Sequence, residues 1–196
     1  MSSYTIPSVV EETRTGERVT DVYSHLLSNR IIYLGTSIDA GVANAMVAQL
    51  LYLEADSPDA DIDLYINCEG GDPEAMLGVY DTMQFIRPTV ATTCIGEAVS
   101  VGAVLLAAGS PGRRSATAHS RIVLHQPAAE GRGTIPDLII QADELVRVRS
   151  DMEAILERHT GRPQSSVRAD TDHTRVFTAA EAIDYGLIDR IVEPRS

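Results

Sequence analysis

Short apolar runs alternating with helix-patterned stretches constrain this chain more than any other feature. Residues 31–35, 62–67 and 90–95 read as strands, and residues 40–53, 73–86 and 101–108 as the helices that follow them. The runs are too short and too apolar for half-exposed strands, so the pattern predicts a mostly parallel sheet with helices on both faces. The fold class is therefore α/β, built from repeated strand-helix units. Two closely spaced strands follow at 115–118 and 121–124. The longest helical signal then runs over 134–160, where Leu138, Leu145 and Met152 fall seven apart and Val148 and Ile155 extend the stripe. Thr134 with Asp137 resembles a capping start, and Gly161 ends the pattern. A polar stretch at 164–170, a strand at 175–177, a helix at 179–185 stopped by Gly186 and a strand at 187–192 complete the chain.

Three units are expected: an N-terminal arm or hairpin over 1–20 that turns at Gly16, a head domain over 21–133 and 161–196, and the long helix 134–160. About 26 helical residues make a rod of roughly 39 Å, which protrudes from a body of this size. Its apolar stripe predicts self-association.

Charge removes several function classes. The net charge is −12, from 16 basic against 28 acidic residues, and the basic residues are scattered, which disfavours nucleic acid and anionic membranes as partners. Every one of the 16 is Arg, so lysine Schiff bases, Ser-Lys dyads and Walker-type phosphate loops are excluded. No long apolar run or leader is read, so a soluble, cytoplasmic protein is expected. Cys68 and Cys94 form no CxxC and each follows an apolar run, as buried reduced thiols do. The histidines lack HExxH spacing, so no metal is expected.

Three segments carry chemistry. Ser100 stands among small residues between a predicted strand and a predicted helix, where the turn exposes a side chain and the helix start offers free N–H groups to an oxyanion. It reads as a nucleophile or as a small packing residue, because the G-x-S-x-G pattern is only half present. His125 ends an apolar strand just before Gln126-Pro127, where parallel sheets present site residues. It reads as a general base or as a satisfied strand-end histidine. His25, His119, His159 and His173 lie in more polar contexts. Gly70-Gly71 closes a strand before a helix, and is either half of an oxyanion hole or a tight turn.

Taken in order, these segments resemble the ClpP family, the proteolytic subunits of the ATP-dependent Clp protease, over about residues 6–193. The resemblance rests on Tyr65-Ile66-Asn67 with Gly70-Gly71, Tyr80-Asp81-Thr82-Met83-Gln84-Phe85-Ile86, Ser100-Val101-Gly102-Ala103, Ser120-Arg121 with His125-Gln126-Pro127, His159-Thr160-Gly161, and Ala179-Ala180-Glu181-Ala182 with Tyr185-Gly186-Leu187-Ile188-Asp189. It implies a bacterial serine endopeptidase of the crotonase-like ClpP fold, cutting unfolded proteins inside a barrel of two heptameric rings, a tetradecamer of homo- or hetero-oligomeric composition. It implies Ser100 as nucleophile, His125 as general base, and the amides of Gly71 and Val101 as the oxyanion hole. No cofactor is implied for this chain, since ATP is used by the AAA+ Clp unfoldase that partners the ring.

The chain departs from the family pattern in three places. Thr174 stands where the family has the aspartate that orients the histidine, with Asp172 nearby as a substitute. Losing that carboxylate from a serine protease costs about 10⁴ in turnover, roughly 5 kcal/mol. Cys68-Glu69 replaces Ser-Pro before the glycines, and Val101 replaces Met. At the unfoldase docking surface Leu26, Tyr65, Phe85, Ile95 and Val192 keep the expected character, while Asp63, Thr93 and Thr117 replace apolar or aromatic residues. Weak docking by a homomeric ring is expected. The chain is thus read as an active serine peptidase subunit, or as a catalytically impaired subunit acting structurally in a mixed barrel. An acyl-CoA hydratase on the related crotonase fold would need paired acids that Glu69 and Glu97 do not supply.

Overall fold

The computed structural model describes residues 5–13, 16–128 and 131–193. Strands β1 (Ser8–Thr13) and β2 (Gly16–Asp21) pair antiparallel as a separate two-stranded sheet. The first four residues of the expected arm, part of its turn, and parts of both ends of the expected head segments (129–130 and 194–196) lie outside the described residues. A short helix α1 (Val22–Ser28) follows, opened by Asp21, whose carboxylate accepts from the N–H groups of Tyr23 and Ser24.

The main sheet is built from β3 (Ile31–Leu34), β4 (Ile62–Cys68), β5 (Val90–Val99), β6 (Arg114–Thr117), β7 (Arg121–Leu124), β8 (Arg175–Phe177) and β9 (Arg190–Val192). The order β3-β4-β5-β6-β9 is parallel throughout, and β7 pairs parallel with β5 and antiparallel with β8. The intervening helices are α2 (Ala40–Asp56), α3 (Pro73–Phe85), α4 (Val101–Ala107), α5 (Ile135–Thr160), α6 (Gln164–Thr171) and α7 (Ala179–Tyr185).

The fold class agrees with the sequence pattern, but the expectation of helices on both faces needs correction. Burial alternates along β3 and β4, with Ile32, Leu34, Ile62, Leu64 and Ile66 buried and Tyr33 and Asp63 exposed. One face packs on the core helices while the other is left partly open in the single chain, as the period-2 alternation of a strand requires when only one side is covered. The core is one cluster joining Leu50, Leu64, Met76, Leu105, Leu106 and Ile122.

Arg114 ties the helix ends to this core. It is only 8% exposed, pairs with Asp189, and donates to the carbonyls of Ala107, His159 and Gly186. A rigid fork of donors suits that task, because each bond satisfies a carbonyl left over at a helix C-terminus. Helix α5 divides in two. Val148, Met152, Ile155 and Leu156 are buried near its C-terminal end, whereas Ile135, Ile139 and Ile140 are 75%, 57% and 67% exposed at the other.

Candidate active site

A bulge in β5 sets up the site. Gly96 has φ 90°, and a Cβ there would lie 2.6 Å from the Asn67 side-chain oxygen, which accepts from the Glu97 N–H. The bulge lets β5 pair with β6 through Thr92–Cys94 and then with β7 through Glu97–Val99. Ala98 is thereby set against Ile122, and Val99 against Val123. Ser100 comes next on one strand, and Leu124 and His125 next on the other. The two candidate residues thus reach the same carboxyl end of neighbouring parallel strands.

Ser100 sits at the turn into α4 with φ 51° and ψ −109°, a backbone conformation that costs about 1–3 kcal/mol in a non-glycine residue. Its N–H donates to the Val123 carbonyl at 2.8 Å, and its Oγ makes no hydrogen bond among the described residues. The side chain is 5% exposed and shares the lining of a small cavity with His125, Val104, Leu124, Met152 and Leu156.

The glycine turn after β4 is locked by backbone. The Ile38 N–H donates to the Gly70 carbonyl at 2.9 Å, and the Asp72 N–H returns to the Ile38 carbonyl at 2.7 Å. That pairing turns the Gly71 N–H away from Ile38, and it finds no acceptor among the described residues. Gly71 has φ 139°, and a Cβ would lie 2.2 Å from the Ile38 oxygen, so only glycine fits. The Val101 N–H, in the first turn of α4, is likewise without an acceptor among the described residues, as the first amides of a helix are. Gly102 brings the two turns together, since a Cβ on it would lie 3.0 Å from the Cys68 Cβ. Cys68 is fully buried and its thiol is pushed up by that burial, while burial pushes Cys94 up to about 11, so both are protonated packing residues.

The base side is built differently. His125 is half-buried, with Nδ1 at 2.9 Å from the Gln126 carbonyl. A carbonyl can only accept, so this contact puts the proton on Nδ1 and leaves Nε2 free to act as a base. The β7–β8 pairing ends with Leu124 and Arg175, so Thr174 directly precedes the strand that pairs beside His125. Thr174 is exposed and makes no hydrogen bond to His125 among the described residues. The substitution of Asp172 for the missing aspartate is not what the structure shows. Its carboxylate, at the C-terminal cap of α6, accepts from Arg149 Nη2 at 2.7 Å. Among the described residues, no carboxylate pairs with His125.

Sequence reasoning missed the group that holds this side together. Arg149 Nε donates to Glu153 at 2.8 Å, Glu153 is 2% exposed and is paired also by Arg168, and Arg149 Nη1 donates to the Gln126 side chain at 2.7 Å. The available signal was an Arg and a Glu four apart on α5, the Glu set inside an apolar stripe. The remaining acids are engaged elsewhere, Glu69 by the Ser37 hydroxyl and Glu97 by Arg121. His159 meets the Tyr80 hydroxyl at 3.1 Å, and burial lowers it to about 4. No group of residues suited to a metal ion occurs among the described residues.

The candidate docking residues fall in two groups. Tyr65, Ile95 and Val192 share the open sheet face with Thr93 and Thr117 by strand register, Ile95 being 41% and Val192 39% exposed. Leu26 lies on α1, and Phe85, 77% exposed, ends α3. Thr93 is bonded to the Ser115 hydroxyl at 2.8 Å, and Asp63 is exposed.

The Clp protease family pattern matches residues 14–195. An ATP-dependent Clp protease proteolytic subunit 1 from Nocardia farcinica is 64% identical across the full length of both chains. A proteolytic subunit 4 of the same protease from Rhodococcus jostii is 59% identical over 98% of this chain and 99% of its own. A subunit 2 from Streptomyces avermitilis is 52% identical over 100% of this chain and 98% of its own. Among the described residues no helix is long and apolar enough to cross a membrane.

Proposed function

Because the chain belongs to the Clp protease family, a family of serine peptidases, we propose that Ser100 is the nucleophile and His125 the general base of an endopeptidase acting on unfolded polypeptides. The observation that carries this reading is the strand register that brings Ser100, on a strained turn, and His125 to one cavity. His125 Nε2 takes the Ser100 proton as Oγ attacks the scissile carbonyl, and the oxyanion is met by the amides of Gly71 and Val101. The imidazolium returns the proton to the leaving amine, and water, deprotonated by the same nitrogen, releases the acyl group. The chain needs no cofactor for these steps, and ATP is used by the unfoldase that feeds the ring. The exposed isoleucines of α5 would meet a second copy across a ring–ring contact in the cytoplasm, and the β1–β2 arm would lie at the axial end of a heptameric ring.

A purified chain should cleave a fluorogenic peptide, with Ser100→Ala reducing turnover to background and His125→Ala by at least about 10³-fold. Full activity in both variants would end the proposal. The missing carboxylate at His125 favours a second reading, in which this chain is a weak peptidase alone and contributes structure to a mixed barrel. Under it, Ser100→Ala in a mixed complex leaves most of the activity in place. Leu26, Tyr65, Phe85, Ile95 and Val192 would receive the apolar loops of an AAA+ Clp unfoldase. Asp63 and the bonded Thr93 weaken that contact because they are costly to desolvate against an apolar plug. Titrating an unfoldase onto the homo-oligomer should give affinity weaker than micromolar, and nanomolar binding would contradict this.

A further inference from the structure

Arg149 reaches, from the base of α5, the two segments that flank His125. Its Nη1 donates to the Gln126 side-chain oxygen and its Nη2 to the Asp172 carboxylate, each at 2.7 Å. Its Nε is fixed by Glu153, a buried carboxylate whose other oxygen is held by Arg168 at 2.9 Å. Gln126 is held twice more, its N–H donating to the Thr171 carbonyl at 2.9 Å and its side-chain N–H to the Asp172 carbonyl at 3.2 Å. The carbonyl of this same residue meets His125 Nδ1.

We propose that Arg149 is a positioning residue for His125, acting through Gln126, at the place where serine peptidases employ an aspartate. The proposal rests on the assignment of Ser100 and His125 above. An orienting aspartate does two things: it fixes the tautomer and plane of the imidazole, and it compensates the imidazolium charge. A main-chain carbonyl does only the first, and only if its peptide unit is held still. Gln126 has no sheet partner at this point, because β7 ends at Leu124 and Pro127 removes the next N–H. The planar guanidinium adds a restraint to the two that the Thr171 and Asp172 carbonyls give, since its three nitrogens satisfy three oxygens at once, on Glu153, Gln126 and Asp172. A lysine ammonium would reach one or two of them without fixing a plane.

The test measures labelling of Ser100 by a fluorophosphonate on the full-length oligomer, separating the maximal labelling rate from the reagent concentration that gives half of it, with the labelled fraction counted at the end point. Arg149→Met should lower the maximal rate about tenfold or more, with the half-saturating concentration and the final labelled fraction unchanged, and Arg149→Lys should recover part of the loss. Gln126→Leu should match Arg149→Met, and the double variant should fall no more than about threefold below either, because the two act in one chain of contacts. Asp172→Asn should cost less than about threefold, since the Gln126 and Glu153 arms of the fork remain. Gln126→Leu leaves the Arg149–Glu153 pair intact, so it decides the matter where Arg149→Met fails to fold. Wild-type rates in Arg149→Met and Gln126→Leu, or losses that multiply in the double variant, would overturn the proposal while leaving the Ser100 assignment standing. A wild-type chain that is never labelled at Ser100 would overturn both.

Discussion

The two halves of the site are built on opposite principles. On the nucleophile side almost every restraint is backbone: a strained serine, a position beside Ile38 that only glycine fits, and a glycine on α4 pressed against Cys68. On the base side the restraints are charged side chains of α5 and α6 linked in a network, of which Arg149 alone reaches Gln126 and none reaches His125 itself. The first arrangement admits little substitution. The second depends on side-chain partners, and among the described residues no carboxylate pairs with His125 there. Among the described residues it is a neighbouring peptide, not a carboxylate, that meets His125 Nδ1, and a carbonyl can fix the tautomer but leaves an imidazolium uncompensated.

Thr174→Asp breaks the comparison most strongly. Thr174 directly precedes β8, whose Arg175 pairs with the residue before His125, so a carboxylate there should raise the rate of Ser100 labelling by about 10² to 10³-fold. A change of less than about threefold would mean that the base side has been rebuilt beyond repair by a single group. Gly71→Ala attacks the other half. The added carbon has no room and the φ of 139° is unfavourable to it, so turnover should fall by about 10²-fold through displacement of an oxyanion donor, with a lowered Tm.

The histidines sharpen the contrast between a base that meets a main-chain carbonyl and a half-buried imidazole that meets the Tyr80 hydroxyl. His159 is lowered to about 4 by burial, with Arg158 and Arg114 adding repulsion, against an unfolded value of 6.5. Between those values the unfolded chain binds the proton and the folded chain does not, so stability is full above 6.5 and is lost as the pH falls to about 4. Solvent screening of a half-buried imidazole reduces the loss to on the order of 1–2 kcal/mol, and thermal unfolding of His159→Gln should be flatter across that window. The smallest effect expected is from Gly102→Ala, which crowds Cys68: about 1 kcal/mol of stability and a several-fold drop in turnover, read by Tm and peptide hydrolysis.

What was legible in the sequence followed periodicity and local turn chemistry. The strand-helix alternation and the capped helix through 160 are local in sequence, and the described elements follow them closely, with Ser100, His125 and Gly71 at the strand ends where the pattern put them. Helix α6 was not legible, because only Val167 and Thr171 are buried in it and its polar face looks like a loop. The continuation of β5 beyond Gly96 was hidden by a glycine that reads as a strand end but forms a bulge. The network of Arg149, Glu153, Arg168, Asp172 and Gln126 joins α5, α6 and the end of β7, and no pattern within one element announces pairs of that kind. The open sheet face was missed by periodicity for a related reason: the apolar run 31–35 reads as wholly buried until the register sets Tyr33 beside Tyr65 on the uncovered side.

The central claim is that Ser100 and His125 act as one unit, and peptide mapping after fluorophosphonate treatment tests it most directly. A single adduct on Ser100 is expected, forming at least about 10²-fold more slowly in His125→Ala. An adduct on another residue, or equal rates in the two chains, would contradict it.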